Sequence, residues 1–322
     1  MAKVPSKKWK SVIVLVGTLM LGLMSSLWGT AQTSREVPRT AWGTPDFGGV
    51  WDYRSVTPLE RPEQFADKAV LTEEEAATVE RERAAWVERI DAGENGSVPG
   101  NDIHTRVFLD FGTRTVADRR SSLIIDPPNG RKPPMTPEGE TRGVNAGSFG
   151  SHALESLEDF NFSDRCMAAL GVPLIPLAYN SYVQLFQTES HLVMLVEMMH
   201  VTRFIPIGGL PHGTVRQRRG DSRGHWEGDT LVVETTNFEY PVAGASRAAT
   251  LIERFRRVDP EILAYEFTMH DPATWTATWT ARQTLRNHAQ PIFEYACHEG
   301  NYGLTNMLQI AREAEATGRG RR

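Results

Sequence analysis

The chain has 322 residues, 40% of them hydrophobic, and a formal net charge of −5 at pH 7. This length suits one large domain or two small ones. Because the balance is mildly acidic and the body of the chain has no basic block, composition argues against nucleic acid as a partner.

The N-terminal segment has the pattern of a secretory signal peptide. A basic region within residues 3–10 precedes an uncharged apolar run from 11 to 28, and small residues follow at 29–31. We therefore predict a signal peptide over 1–31, cleavage before Gln32 and a periplasmic or secreted protein. The alternative is an uncleaved anchor, because the apolar run is near the ~18-residue threshold for a spanning helix. No other contact with a membrane is expected.

Residues 32–140 are predicted to form an N-terminal extension. Its first strand lies in P-D-F-G-G-V-W-D-Y, 45–53, and a helix follows near 72–91, where Thr72 and Glu75 form a capping box. The helix has a polar majority, so we expect it on the surface. A short strand in S-S-L-I-I-D then leads into a proline-rich loop, which is expected to drape over the body of the protein.

Residues 141–316 are predicted to form a β-meander domain. From Tyr179 onward, strand patterns recur at regular spacing, with a hairpin turn at Gly228–Asp229. We interpret 191–207 as one long strand and P-I-F-E-Y-A-C-H, 291–298, as the last strand. The fold class is therefore mainly β (α+β), an antiparallel barrel or strongly curved sheet, followed by a C-terminal helix. The basic tail 317–322 is expected to be disordered.

Cys166 and Cys297 are the only two cysteines. In an exported protein an even count favours a disulfide bond. One alternative is a free catalytic thiol next to His298, but neighbouring residues on a strand point to opposite faces. The other is a metal site, although two distant cysteines lack the short ligand pairs of zinc sites. We expect no metal and no cofactor.

Two polar segments near strand ends supply candidate site residues. They are E-M-M-H-V-T-R-F-I-P-I-G-G-L-P-H, 197–212, and R-G-D-S-R-G-H-W-E-G-D, 219–229. The simplest interpretation is that these groups face water, as one side of an antiparallel sheet commonly does. The functional interpretation assigns catalytic roles, as bases or anion clamps, to His200, His298, Arg203 and Arg223. It assigns ligand binding to Glu197, His212, Asp221, Glu294 and Glu299.

Several long motifs carry a resemblance. P-D-F-G-G-V-W, H-W-E-G-D-T-L-V-V-E-T-T-N-F and E-Y-A-C-H-E-G-N-Y-G resemble a family of exported bacterial proteins of unassigned function, over most of the mature chain. Members of that family are often found many to a genome in bacteria that degrade hydrophobic compounds, which implies a small apolar ligand. Gly49 and Trp51 are also similar to the Gly-x-Trp of lipocalin-like barrels, in which the Trp plugs one end.

Three functions follow from these observations. The first is an exported binding protein whose β-barrel pocket holds a small hydrophobic or aromatic compound. The second is a cofactor-free acid–base enzyme, such as a lyase, hydratase or isomerase, on the same barrel. The third is a cell-envelope interaction module. Only the enzyme requires its polar residues to meet within hydrogen-bond reach in one cavity.

Overall fold

The computed structural model describes residues 36–91, 110–145, 165–167 and 171–318. The predicted signal peptide, and the predicted tail beyond residue 318, lie outside these ranges. From Val37 onward the chain forms one compact unit. Within the described ranges, no helix combines the length and the apolar character that crossing a membrane requires.

Ten strands form one sheet, which confirms the mainly β prediction. The strands are β1 Gly49–Asp52, β2 Ile124–Asp126, β3 Tyr182–Gln187, β4 His191–Val196, β5 Val201–Pro206, β6 Asp221–Glu227, β7 Thr230–Thr236, β8 Thr250–Asp259, β9 Ile262–His270 and β10 Trp279–His288. Alternating apolar positions supply the buried face of strands such as β4 and β9, whereas β6 buries Asp221 and Ser222.

The sheet curls into a nearly closed barrel. Its strand order is β5-β4-β3-β1-β10-β9-β8-β7-β6, with β2 paired to β10 off this path. The two ends of the order meet where Ile207 forms a parallel bridge with Gly224. There the Gly208 and Gly209 N–H groups donate to the Gly224 carbonyl at 2.9 and 3.2 Å. This is an up-and-down arrangement, in which β1 from the predicted extension lies between β3 and β10.

In the described parts of the chain, three α-helices accompany the barrel: α1 Glu73–Asp91, α2 Pro137–Asn145 and α3 Tyr302–Ala316. Helices α1 and α3 confirm the two predicted helices, whereas α2, which begins at Pro137 where the predicted proline-rich loop ends, was not predicted. The predicted capping box at α1 is present. The Thr72 N–H donates to Glu75 Oε2 at 2.8 Å, and the Glu75 N–H donates to Thr72 Oγ1 at 3.2 Å.

Side chains fill the barrel interior. Near one end, the Trp51 indole N–H donates to the Phe47 carbonyl at 2.9 Å, and the Arg257 guanidinium lies 5.1 Å from the Trp51 ring centre. Next to the β4–β5 turn, the chain around Leu174 packs inside. Its N–H and carbonyl are bonded to the side chains of Tyr265 and Gln283 at 3.1 and 2.7 Å. Fully buried aromatic residues include Trp51, Phe255, Tyr265, Phe267 and Trp279.

The prediction of one long strand over 191–207 is wrong. Strand β4 ends at Val196, a 3₁₀ turn covers Met198–His200, and β5 begins at Val201. Within this turn, Met199 and His200 have φ angles of 59° and 48°. An uninterrupted strand would place Glu197 and Met198 on opposite faces and Met198 on the same face as His200. The turn instead buries both Glu197 and Met198 and leaves His200 exposed.

The predicted last strand over 291–298 is also wrong. This part of the chain lies in residues 289–300, which we call the C-terminal strap and which contain no strand. Its N–H groups meet side chains instead of a neighbouring strand. The Phe293 N–H donates to Glu197 Oε1 at 3.0 Å, and the Tyr295 N–H donates to His200 Nε2 at 2.7 Å. These bonds satisfy two backbone donors that a sheet ladder would otherwise pair.

Candidate functional site

The predicted site residues lie in three separate places. Arg203 is inside the barrel, His212, Asp221 and Arg223 hold the loop between β5 and β6, and the others lie at or on the C-terminal strap. The enzyme hypothesis requires six of these residues to meet in one cavity, and they do not: His200, Arg203, His212, Asp221, Arg223 and His298. Among the described residues, no group of three or more His, Cys, Asp or Glu side chains is arranged to hold a metal ion.

Arg203 is occupied by a carboxylate of the protein itself. Its Nη1 and Nη2 atoms lie 3.0 and 2.6 Å from the two carboxylate oxygens of Glu253. Nη2 also donates to the hydroxyls of Ser222 and Thr235, each at 3.1 Å. Burial acts to lower the pKa of Arg203, but the Glu253 carboxylate outweighs it, so the pKa is raised overall. The predicted anion clamp is therefore an internal ion pair.

The Glu253 carboxylate is completed by a tyrosine. The Tyr265 hydroxyl donates to Glu253 Oε1 at 2.8 Å and accepts from the Leu174 N–H at 3.1 Å. Burial, followed by the nearby Glu253 charge, raises the pKa of Tyr265 well above its ordinary value. Arg203, Glu253 and Tyr265 thus form one hydrogen-bonded network inside the barrel, as buried polar groups generally require.

His212, Asp221 and Arg223 form the second cluster. His212 Nδ1 lies 3.3 Å from Asp221 Oδ2, and its Nε2 lies 3.1 Å from Glu234 Oε1. The buried Asp221 also pairs with Arg223, at 2.5 Å from Nη1 to Oδ1, and accepts the Gly213 N–H at 2.7 Å. Both ring nitrogens of His212 contact carboxylates of the protein. The cluster therefore fixes the loop between β5 and β6.

The third group surrounds the C-terminal strap. Glu197 and His200 accept its backbone N–H groups, as described above. His298, Glu294 and Glu299 are exposed on the strap. The predicted disulfide is confirmed: Cys166 and Cys297 are joined with a Cα–Cα distance of 5.8 Å. It ties the strap to residues 165–167, and neither cysteine is a free thiol.

A cleft with different chemistry lies outside the barrel, beside α1. We call it the α1 cleft; its volume is about 220 Å³ and it is lined by Ser55, Arg83, Phe111, Gly112, Pro176, Leu177 and Ala178. The Asp110 N–H donates to the Ala178 carbonyl at 3.0 Å and joins two of its walls. Ser181 joins them to the barrel, because its hydroxyl accepts the Leu177 N–H at 2.9 Å.

Glycine is required at one wall of the α1 cleft. A Cβ atom added at Gly112 would lie 2.4 Å from the Ser55 backbone nitrogen, and real Cβ atoms do not approach backbone so closely. The absence of a side chain therefore lets the segment that carries Phe111 pack directly on the chain that leaves β1.

Two aromatic rings and a guanidinium meet at the α1 cleft. The Trp86 and Phe111 ring centres are 4.7 Å apart with an interplanar angle of 66°, an edge-to-face contact. The Arg83 guanidinium carbon lies 4.9 Å from the Trp86 ring centre and 5.8 Å from that of Phe111. Both distances are within the range of cation–π attraction.

Our sequence interpretation did not identify Arg83 or Phe111. Arg83 and Trp86 lie three positions apart on α1, so their side chains are neighbours on the helix surface. This spacing was the sequence feature that could have pointed to the site. Phe111, Pro176 and Leu177 come from distant parts of the chain. The tertiary fold brings these three residues together, so no local sequence pattern predicts their contact.

Comparison with known proteins finds no family model, no curated protein and no solved structure that matches this chain.

Proposed function

We propose that the protein binds a small hydrophobic or aromatic compound in the α1 cleft. The observation that carries this proposal is a cleft of about 220 Å³ with Phe111, Pro176 and Leu177 in its walls. An apolar cavity of about 150 Å³ accommodates benzene, so this space suits one ring with a small substituent. Larger ligands occupy pockets of roughly 300–1,000 Å³.

The sequence-based hypothesis put the ligand inside the barrel, and we move it outside. Large buried side chains fill the interior, among them Trp51, Tyr265 and Trp279. Interiors are close-packed, so a ligand there would have to displace such a side chain. In this proposal the barrel is the rigid scaffold that holds two walls of the α1 cleft.

The binding proposal is tested with benzamide, a neutral single-ring probe, by ligand-observed NMR. We expect saturation transfer to benzamide with the native protein. Ala178→Leu extends a side chain at the α1 cleft and should abolish the signal, whereas Ala277→Leu, at an exposed loop position, should not. Circular dichroism verifies that both variants fold. Equal benzamide signals from folded Ala178→Leu and native protein would refute binding in this cleft.

We also propose that the protein is exported, with the signal peptide removed near Gln32. The signal-like N-terminal pattern supports this, and the Cys166–Cys297 disulfide is compatible with an oxidising compartment. Expression of the full chain in a bacterium with a periplasm, followed by N-terminal sequencing, tests it. A chain that starts near Gln32 in the periplasmic fraction is expected. An intact N-terminus in the membrane fraction would favour the anchor instead.

A further inference from the structure

We infer that the α1 cleft selects ring compounds that carry a carboxylate, with Arg83 as the anion-binding residue. This inference rests on the proposed function, because it names the ligand class of the same cleft. Its basis is the combination of an apolar wall with a guanidinium for which the described residues supply no acceptor.

The Arg83 guanidinium is held in place by ring contacts alone. Within the described parts of the chain, Arg83 has no carboxylate partner and no hydrogen-bond acceptor; its contacts are with the Trp86 and Phe111 rings. Burial lowers the pKa of Arg83, and no anion counteracts the effect. An arginine nevertheless stays protonated in proteins. The α1 cleft therefore presents a half-buried positive charge whose N–H donors are not used by any described residue of the protein.

A nearby arginine shows what a satisfied guanidinium looks like in this fold. Arg54 binds Asp52 through Nε and Nη2 at 3.0 and 2.7 Å, and it also pairs with Asp110. Its guanidinium carbon additionally lies 4.8 Å from the Tyr182 ring centre. Arg83 has the equivalent ring contacts but lacks the two carboxylates. A bound carboxylate would supply at Arg83 what Asp52 and Asp110 supply at Arg54.

The residues that line the α1 cleft determine which chemical group can carry the carboxylate. Phe111, Pro176 and Leu177 offer apolar surface, and the volume suits a single ring. One guanidinium matches one carboxylate in a planar, two-pronged contact. A dianion such as phosphate would bring a second charge and no apolar surface to such a site. We therefore infer a ring carboxylate and not an inorganic anion.

Benzoate and benzamide provide the test, because they have nearly the same shape and differ in charge. Isothermal titration at low salt should show that benzoate binds the native protein about 10-fold or more tighter, as charge-assisted hydrogen bonds predict. Arg83→Gln should reduce benzoate affinity to the level of benzamide and change benzamide affinity by less than about 2-fold, since only the charged contact is removed. Arg81→Gln, an exposed position on the same helix, is the matched control and should leave both affinities unchanged.

The outcomes separate this inference from the proposed function. Equal binding of benzoate and benzamide, both blocked by Ala178→Leu, would refute the inference and leave the proposed function standing. Binding of neither compound would refute both. A benzoate preference that survives Arg83→Gln, or inorganic phosphate that binds more tightly than benzoate, would also refute the inference. If Arg83→Gln does not fold, Arg83→Lys takes its place. It keeps the charge without the planar fork and should lose part of the benzoate preference.

Discussion

Replacing Glu253 with glutamine should strongly destabilise the barrel. The Arg203 and Glu253 side chains are 2% and 0% exposed, so neither charge is screened by water. Glutamine keeps an oxygen for the Tyr265 hydroxyl but leaves the guanidinium buried without a counter-charge. Removing one partner of a buried ion pair costs about 3–5 kcal/mol. We expect the free energy of unfolding to fall by that amount.

The matched control is an ion pair on the outside of the same barrel. Arg282 Nη2 lies 2.8 Å from Glu266 Oε2, with side chains 45% and 27% exposed. Exposed pairs contribute about 0–1 kcal/mol, so Glu266→Gln should have little effect. Urea unfolding followed by tryptophan fluorescence measures both variants, and equal slopes against urea concentration are needed for comparison.

A double variant tests whether the cost comes from the unpaired charge. In Arg203→Met with Glu253→Leu, no charge remains in this network, and the Ser222 and Thr235 hydroxyls, 2.9 Å apart in the native protein, can still bond to each other. The double variant should therefore lose much less stability than the sum of the losses of Arg203→Met alone and Glu253→Leu alone. If Glu253→Gln costs no more than Glu266→Gln, or if the single losses simply add, the burial of charge does not control the stability of this network.

Two further predictions concern the ends of the barrel. Replacing Cys166 and Cys297 with serine should lower the free energy of unfolding by roughly 4–5 kcal/mol, because the bond spans 131 residues. Thiol titration of the native sequence under denaturing conditions should find no free thiol, and two free thiols would refute the bond. Burial acts to raise the pKa of Asp271, but hydrogen bonds from Thr274 and Ser246 outweigh it and lower the pKa. Its stabilisation is therefore complete above its ordinary pKa, about 3.9, and is lost as pH falls through the lower folded value. Asp271→Asn should flatten this acid limb of a urea stability profile, and an unchanged acid limb would refute the assignment.

The meander was predictable because period-two alternation and turn residues coincide along most of its length. Strand β9 shows this, with buried apolar residues at every second position. Strand β8 keeps the same alternation of buried positions, but Glu253 and Arg257 occupy two of them. The break between β4 and β5 was not predictable in the same way. Met199 and His200 adopt positive φ angles, for which glycine, asparagine, aspartate and histidine are the enriched residues. Of these, E-M-M-H contains only His200, so the pattern indicated an uninterrupted strand.

The prediction of a strand over 291–298, in the C-terminal strap, was wrong for a different reason. P-I-F-E-Y-A-C-H alternates like a strand, but alternation indicates only that every second residue can be buried. A strand also needs a neighbour with free backbone groups. Here Glu197 and His200, two of the predicted site residues, receive the backbone donors of the strap instead. Their polar character was a valid signal of a special role, and the contact they make is with the chain itself.

The same reasoning explains why the candidate binding place lies beside the barrel. Two charged groups for which the sequence suggested a ligand have a partner within the protein instead: Arg203 binds Glu253, and Glu197 binds the backbone of the strap. A polar group that is already satisfied gains little from a new partner, because it must first give up the old one. Selectivity therefore depends on groups that folding leaves unsatisfied. In the α1 cleft, Arg83 is such a group, and the apolar walls beside it determine what kind of anion it can hold.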